Sequence, residues 1–141
     1  MRDSLQVKDA MSGLVVTVGP THTLRQAAAA MSARRVGAAV ILDGDGTGPG
    51  ILTERDVLDA IAAGHDPDTE TVEGHATPDA VLVSPDWSLD SAGRTMVQGG
   101  FRHLVVVEGA DVVGVLSVRD VLRAWAEGTL VGVATGWGAT I

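Results

Sequence analysis

Residues 50–58 read GILTERDVL, and residues 114–122 read GVLSVRDVL. Each stretch begins with a short apolar run that is typical of a buried strand. Each then continues into a hydroxyl residue that is followed three positions later by an aspartate. Such a pair is typical of a helix start, because the two side chains can satisfy free backbone N–H groups there. The sequence therefore predicts a strand that runs directly into a helix, and it predicts this arrangement twice.

The repetition covers most of the 141 residues of the chain. A shift of 65 positions superimposes apolar residues and prolines of the two halves. The superimposed pairs include Val7 with Val72, Val16 with Val81, Pro20 with Pro85, Leu24 with Leu89 and Met31 with Met96. One residue fewer in a later loop brings the shift to 64 for the two stretches quoted above. Self-similarity at a fixed spacing indicates a duplicated supersecondary unit, here at about 7–64 and 72–128.

Each repeat reads as β-α-β-β-α. A β-branched run ends at a proline, which stops a strand and favours a turn. A hydroxyl cap then precedes apolar residues at helical spacing, and two strands joined by a turn follow. The last helix is predicted at about 54–63 in the first repeat and 118–127 in the second. Gly64 and Gly128 stand where a C-terminal glycine cap belongs.

One repeat of under 60 residues buries too little apolar surface to be stable alone. Its strands are apolar on both faces, so both faces need cover. We therefore expect an α+β fold in which two repeats pack about a pseudo-twofold axis and leave two related clefts. The expected division is repeat 1 at 1–64, an acidic linker at 65–79, repeat 2 at 72–128 and an apolar, Gly-rich tail at 129–141.

The composition narrows the chemistry available to the chain. With no cysteine among 141 residues, disulfides, thiolate zinc sites, iron–sulfur clusters and cysteine nucleophiles are excluded. The lack of cysteine fits a reducing compartment, and the first residues lack the apolar region of a signal peptide. No apolar stretch approaches the roughly 18 residues of a membrane span. We therefore expect a cytoplasmic protein without a membrane partner.

The charge of the chain bears on its partners. The formal net charge is −8, and binding to nucleic acid needs clustered lysine and arginine to neutralise phosphates. The charge therefore disfavours both DNA and RNA. The excess acid collects in residues 65–79 (HDPDTETVEGHATPD), which carry five acids and no Lys or Arg. A run of this kind is usually a solvated linker.

The paired hydroxyl and acid residues have two interpretations. Helix capping alone explains Thr53 with Asp56 and Ser117 with Asp120. A helix N-terminus also attracts phosphate, because it carries free N–H groups and a partial positive charge. A carboxylate one turn into the helix could accept two hydrogen bonds from a ribose diol. The same residues are therefore the parts needed to hold a nucleotide by its sugar and phosphate.

The order of these elements resembles a pair of CBS domains, the Bateman module, over about 7–128. Residues 34–43 (RRVGAAVILD) and 101–108 (FRHLVVVE) resemble the second-strand signature of that family. The two stretches at 50–58 and 114–122 resemble its third-strand-to-helix signature. The segment AAGHDPDTETV resembles the linkers of small stand-alone bacterial CBS pairs. The resemblance implies the family's fold for nearly the whole chain.

The resemblance also implies two ligand clefts, each taking its hydroxyl–acid motif from one repeat and its base-contacting residues from the other. Cleft A would combine Ser117, Arg119 and Asp120 with Ser12, Val16, Thr17, Val36, Gly37 and Ala38. Cleft B would combine Thr53, Arg55 and Asp56 with Thr77, Val81, Leu82, Arg102, His103 and Leu104. The aspartates would hold ribose hydroxyls, the hydroxyl residues with Arg or His would hold phosphates, and the apolar residues would sandwich adenine.

The two predicted clefts differ in charge. Cleft B offers Arg102 and His103, whereas cleft A has Gly37 and Ala38 at those positions, with two arginines just upstream at 34–35. A charge-assisted hydrogen bond contributes about 1.5–3 kcal/mol, which is roughly tenfold to hundredfold in affinity. We therefore expect cleft B to hold the more phosphorylated ligand.

The function implied by the resemblance is regulatory sensing of an adenosine-containing ligand. AMP, ADP or ATP is the expected ligand, with magnesium accompanying a polyphosphate, and no cofactor is expected. A homodimer is implied, together with a regulated protein that the sequence does not identify. Trp125 is either a core residue or a dimer contact, and we expect a dimer contact because an indole is costly to leave in water and is enriched at interfaces. Two alternatives stay open: an interaction or dimerisation module with vestigial clefts, and a binder of S-adenosylmethionine or a dinucleotide. No nucleophile elbow or paired catalytic carboxylate motif is present, so we expect no enzyme activity.

Two further patterns suggest metals. Residues 43–48 with Glu54 imitate a calcium loop, but a strand precedes them where such a loop needs a helix. The four histidines share no metal-ligand spacing, and we expect solvated loop histidines and no metal site. His65 and His75 flank the acidic linker, so a casual divalent-metal site there stays an alternative.

Overall fold

The computed structural model describes the backbone of residues 5–42 and 48–133 and the side chains of residues 5–42 and 48–127. The helices are α1 (Val7–Ala10), α2 (Leu24–Arg34), α3 (Glu54–Ala62), α4 (Leu89–Gly99) and α5 (Val118–Val133). The strands are β1 (Thr17–Val18), β2 (Ala38–Ile41), β3 (Gly50–Thr53), β4 (Leu82–Val83), β5 (His103–Glu108) and β6 (Asp111–Ser117). The predicted α+β class and the order β-α-β-β-α in each repeat are confirmed.

The strands form two sheets of the same topology. One sheet has the order β1-β2-β3 and the other β4-β5-β6. In each sheet the first pair is parallel and the second pair is antiparallel. A parallel pair needs a crossover between its strands, and α2 and α4 provide it. The antiparallel hairpin between β5 and β6 turns through Gly109, whose positive φ of 62° suits glycine.

The first long helix of each repeat is amphipathic in the same way. Helix α2 buries Leu24, Ala27 and Met31, and helix α4 buries Leu89, Ala92 and Met96. Both begin at a hydroxyl residue that accepts a hydrogen bond from the backbone N–H three positions later. The period of apolar residues in the sequence therefore predicts the buried faces of α2 and α4 correctly.

The chain divides into two compact units that do not coincide with the sequence repeats. Unit N contains the described residues from 15 to 81, and unit C contains those up to 14 and from 82 onward. Each unit takes its sheet and its two long helices from one repeat and a leading segment from the other. In unit C this leading segment includes α1, and in unit N it includes a 3-10 turn at Val72–Gly74. Val7 and Val72, superimposed by the repeat, are both fully buried.

The two closing helices end differently. Helix α3 ends at Ala62, and Gly64 follows with a positive φ of 88°, so the predicted glycine cap is confirmed. The end predicted for the other helix is wrong, because α5 runs through Gly128 to Val133. One glycine inside a helix costs about 1 kcal/mol, which does not by itself end a helix. The calcium-like residues 43–47 and the tail from residue 134 onward, with Trp137, lie outside the described residues.

Candidate functional site

In unit N, the predicted motif forms a complete capping box at the start of α3. The backbone N–H of Asp56 donates to Oγ1 of Thr53 at 3.3 Å, and the backbone N–H of Thr53 donates to Oδ2 of Asp56 at 2.8 Å. The Thr53 hydroxyl also donates to Oδ2, at 3.0 Å. All three bonds involve Thr53, and the two that reach the carboxylate both end on Oδ2, so Oδ1 of Asp56 takes no part in the cap.

In unit C, the second motif caps α5 with the same geometry. The backbone N–H of Asp120 donates to Oγ of Ser117 at 3.1 Å, and the backbone N–H of Ser117 donates to Oδ2 of Asp120 at 2.9 Å. Here the other carboxylate oxygen is engaged as well, because Arg123 donates to Oδ1 at 3.2 Å. The Asp120 side chain is 12% exposed, so only a small part of this carboxylate reaches solvent.

The hairpin register places the second strand of each repeat beside its own motif. Ala38 pairs with Thr53 in unit N, and His103 pairs with Ser117 in unit C. The first backbone N–H of each helix donates to the residue before that strand. Glu54 donates to the Gly37 carbonyl and Val118 to the Arg102 carbonyl, both at 2.9 Å. The two motifs are therefore fixed by equivalent backbone contacts.

The leading segments bring a hydroxyl residue to each motif strand. Ser12 pairs with Val115 through two backbone hydrogen bonds of 3.0 and 3.1 Å, and Thr77 pairs with Ile51 through two of 2.9 Å. Each partner strand residue lies two positions before the capping hydroxyl. The predicted association of Ser12 with the second motif and of Thr77 with the first is therefore present within single compact units.

Two glycines allow this close approach, and the sequence interpretation did not assign them a role. A Cβ on Gly114 would lie 2.8 Å from the Ser12 carbonyl oxygen, and one on Gly50 would lie 3.0 Å from that of Thr77. Any side chain would therefore push the leading segment away from the strand. The signal was available, because both nine-residue stretches begin with glycine.

The eighteen predicted site residues are distributed over both units. Unit N holds Val16, Thr17, Val36, Gly37, Ala38, Thr53, Arg55, Asp56, Thr77 and Val81. Unit C holds Ser12, Leu82, Arg102, His103, Leu104, Ser117, Arg119 and Asp120. Each predicted cleft therefore draws on both units, and the two clefts and the pseudo-twofold packing stay predictions.

The charged side chains around the two motifs are not equivalent. In unit N the Glu54 carboxylate lies over Gly37, 3.2 Å from the position of a Cβ there, and Arg55 pairs with Asp59 at 3.3 Å. In unit C the position of Glu54 is taken by Val118, and Arg123 pairs with Asp120. The first motif is therefore the more acidic of the two within its own unit.

An apolar groove of about 700 Å³ lies between α4 and α5 in unit C. Its lining includes Val97, Phe101, Val118 and Leu122, with Arg102 among the polar residues. Apolar side chains line more of the groove than hydrogen-bonding groups do. It therefore suits an apolar partner better than a nucleotide phosphate.

Glu70 joins His65 and His75, the pair that the sequence analysis kept as an alternative metal site, in one cluster in unit N. Glu70 Oε1 lies 2.7 Å from Nε2 of His75 and 3.5 Å from Nδ1 of His65. The hydrogen bond from His75, and to a smaller extent the charges of the two imidazoles, lower the pKa of Glu70 below its ordinary value. The His75 side chain is only 16% exposed, which differs from the solvated loop histidine expected from the sequence.

Within the described part of the chain, none of the helices combines the length and hydropathy required to cross a bilayer.

The family model of the CBS domain matches residues 7–63 and residues 72–127. The protein is therefore a tandem pair of one repeated domain, and the chain belongs to the CBS domain family.

Named relatives agree with this assignment. The CBS domain-containing protein YhcV of Bacillus subtilis (strain 168) is 36% identical over 115 residues, covering 81% of each chain. A CBS domain protein from Pyrobaculum aerophilum, solved in complex with AMP, is 28% identical with a TM-score of 0.73, covering 87% of this chain and 99% of that one. A hexameric CBS-CP12 protein from bloom-forming cyanobacteria is 29% identical with a TM-score of 0.79, covering 84% and 69%.

Some relatives are longer than this chain. The chain spans 41% of a Methanocaldococcus jannaschii protein to which it is 29% identical. It spans 21% of an Arabidopsis thaliana CBS domain-containing protein to which it is 35% identical. The family's repeat pair therefore occurs both in short chains and as part of longer ones.

Proposed function

We propose that the chain is a regulatory module that binds adenine nucleotides, AMP, ADP or ATP, through its two capping motifs. Each motif would hold one nucleotide, with the aspartate accepting hydrogen bonds from the ribose hydroxyls. Binding would favour one arrangement of the repeats over others and so signal to a regulated protein. This function is sensing without catalysis.

The observation that carries the proposal is the geometry of Asp56. Its Oδ2 accepts both hydrogen bonds of the cap, and its Oδ1 accepts no hydrogen bond from any described residue. A carboxylate held rigidly by one oxygen presents the other in a fixed place. Two adjacent hydroxyls of a ribose are suitable donors for such a group, because charge-assisted hydrogen bonds are about twice as strong as neutral ones.

The hydroxyl residues of the leading segments support the same proposal. Thr77 and Ser12 are fixed beside the motif strands by paired backbone bonds. A hydroxyl in that position, together with the N-terminus of α3 or α5, is suited to a phosphate oxygen. The base contacts would come from the apolar residues predicted for cleft A and cleft B.

The comparison with known proteins supports an adenine nucleotide over the alternatives. A structural neighbour covering 87% of this chain was solved with AMP. S-adenosylmethionine shares the adenosine group and would use the same aspartates, so it is an alternative that an experiment must separate. Magnesium would accompany ADP or ATP, since it binds phosphate oxygens.

The test is a thermal-shift screen of the whole chain against AMP, ADP, ATP and S-adenosylmethionine, with and without magnesium. A ligand at 100 times its Kd stabilises the folded state by about 2.7 kcal/mol, which raises the Tm by several degrees. We expect adenine nucleotides to raise the Tm and S-adenosylmethionine to leave it unchanged. The Asp56→Ala and Asp120→Ala variants should each lose part of the shift.

A matched control comes from α2, which begins with a capping box of the same type, formed by Thr23 and Gln26. Gln26→Ala removes a cap outside the proposed sites, so it should lower the Tm without reducing the nucleotide-dependent shift. No shift with any adenine nucleotide would overturn the proposal and favour an interaction module. A shift with S-adenosylmethionine alone would favour that ligand.

We also propose that the chain forms a homodimer through the groove between α4 and α5. Leu122 is 59% exposed and Trp125 is 45% exposed on α5, which is unusual for large apolar residues on one helix face. Aromatic residues are enriched at protein interfaces, and a structural neighbour is hexameric. A second copy of the chain offers an apolar surface of matching character.

Light scattering after size exclusion tests the dimer. The wild-type chain should have twice its 14.4 kDa mass, and Leu122→Glu should give the monomer mass. Leu42→Glu places the same charge at an exposed leucine outside the groove and should stay dimeric. A monomeric wild-type chain would overturn this part of the proposal.

A further inference from the structure

The cluster of His65, Glu70 and His75 carries an inference that is independent of nucleotide binding. Their ligand atoms, one from each side chain, all lie within 4.8 Å of one another. We propose that these three side chains form a Zn²⁺ site with an open fourth position. The site belongs wholly to unit N.

The backbone holds the three residues in place from both sides. The His65 N–H donates to the Ala60 carbonyl at 3.0 Å, which ties the first ligand to the end of α3. The Glu70 carbonyl accepts from the Leu24 N–H at 2.9 Å, which ties the second to the start of α2. The His75 N–H donates to the Val72 carbonyl at 3.0 Å. The ligands are therefore positioned by the fold and do not depend on a metal for their approach.

An ion pair and a backbone hydrogen bond also attach the segment between His65 and Glu70 to α2. Arg25, the second residue of α2, forms an ion pair with Asp68, and its N–H donates to the Pro67 carbonyl at 3.0 Å. The segment between the first two ligands is thus attached to α2 by backbone and side chain. Preorganised ligands lower the ordering cost of binding an ion.

The distances suit a tetrahedral ion. With zinc–ligand bonds of 2.0–2.1 Å, the ligand atoms of such a site lie about 3.3 Å apart. The two measured separations, 2.7 Å and 3.5 Å, lie on either side of that value. The imidazole rings meet edge to face, with centroids 5.0 Å apart. Small side-chain rotations would therefore place all three atoms around one ion.

The donor set indicates which ion binds. Two imidazoles and one carboxylate match the ligands of open zinc sites, in which a water takes the fourth position. Magnesium and calcium prefer sites made only of oxygen ligands. The cluster also lies in the most acidic segment of the chain, residues 65–79, whose charge favours a cation.

The experiment is a calorimetric titration of the metal-stripped full chain with zinc chloride at pH 7.5. We expect one zinc per chain, with affinity reduced at least tenfold in His65→Ala, in Glu70→Gln and in His75→Ala. X-ray absorption of the zinc-loaded chain should show two imidazoles and one carboxylate oxygen as ligands.

His22→Ala is the matched control, since His22 is in the same unit but outside the cluster. It should bind zinc as the wild type does, and magnesium should not compete. His65 is 46% exposed, so its variant is expected to fold even if His75→Ala does not, and circular dichroism checks both. Absence of zinc binding, unchanged affinity in His65→Ala, or equal loss in His22→Ala would each overturn the proposal.

Discussion

The two capping motifs share their backbone and differ in their surroundings. Thr53 and Asp56 in unit N, and Ser117 and Asp120 in unit C, make the same reciprocal cap bonds within 0.2 Å of each other. The carboxylate oxygen outside the cap takes no bond from a described residue in unit N, whereas Arg123 donates to it in unit C. The helix cap has therefore been kept in both copies, and the charge around it has not.

This difference separates two roles of one sequence pattern. Capping explains why a hydroxyl and an acid stand three residues apart, and it stabilises by about 1 kcal/mol at either site. The charges of neighbours do not affect that role, but they do affect the choice of ligand. Unequal ligand binding by equally well capped helices is what the account predicts.

The largest effect is expected in the strands that support the motifs. Leu52 and Leu116 are equivalent in the two repeats and have no exposed surface. Truncation of either to alanine should lower the free energy of unfolding by about 2–5 kcal/mol, since it leaves a cavity in a packed core. Urea denaturation measures both. A cost below about 1 kcal/mol for one of them would show that the two units are not packed alike.

The next largest effect concerns the nucleotide site to which the Arg102 side chain belongs. The carbonyl of Arg102 contacts the second motif in unit C, but the side chain of Arg102 is predicted to bind phosphate together with the first motif, in cleft B. Arg102→Ala should therefore weaken ATP binding about tenfold to hundredfold in the Asp120→Ala background. It should have little effect in the Asp56→Ala background. Calorimetric titration of the two double variants with ATP measures both affinities. A large loss in the Asp56→Ala background and a small one in the Asp120→Ala background would assign Arg102 to the second motif.

The two motif glycines should differ in their tolerance of a methyl group. A Cβ on Gly114 would lie 2.7 Å from Sδ of Met11 and 2.8 Å from the Ser12 carbonyl, whereas at Gly50 the nearest atom is at 3.0 Å. Overpacking of this kind costs about 1–3 kcal/mol, so Gly114→Ala should destabilise more than Gly50→Ala. Thermal unfolding of both variants measures the difference. The reverse order would mean that the segment before Ser12 yields more easily than the one around Thr77.

The smallest effect is expected from the ion pair that distinguishes the motifs. Arg123 is largely exposed, and exposed pairs contribute about 0.2–1 kcal/mol. Arg123→Ala should therefore change stability little. In the Asp56→Ala background it should raise AMP affinity by about twofold to fivefold, because Oδ1 of Asp120 no longer has a competing donor. A clear loss of AMP affinity would show that Arg123 itself holds the ligand.

Much of the fold follows from patterns that depend on near neighbours in the chain. The spacing of Leu24, Ala27 and Met31 predicts the buried face of α2, and the repeated motif predicts two strands that run into capped helices. The end of α5 was predicted wrongly, because the cost of Gly128 was outweighed by the helix that continues to Val133. The sequence around one glycine does not show whether a cost of about 1 kcal/mol ends the helix, because the contacts of the following turns also contribute.

The sequence predicts those contacts of the site that join residues close in the chain. It predicts fewer of the contacts that join residues far apart in the chain. The reciprocal bonds between Thr53 and Asp56 follow from their spacing. The approach of the Ser12 segment to Gly114 joins residues about 100 positions apart, and only the glycine itself hinted at it. The sequence analysis kept a divalent-metal site at His65 and His75 only as an alternative and did not include Glu70. The two histidines are ten residues apart, and only the fold of the segment between them brings both rings to Glu70.

The most direct test of the central claim is the number of AMP molecules that the chain binds. Calorimetric titration of wild type, Asp56→Ala, Asp120→Ala and the double variant should give two, one, one and none, with all four proteins folded by circular dichroism. Two AMP molecules bound by the double variant, or none by the wild type, would contradict the claim that each capping motif holds a nucleotide.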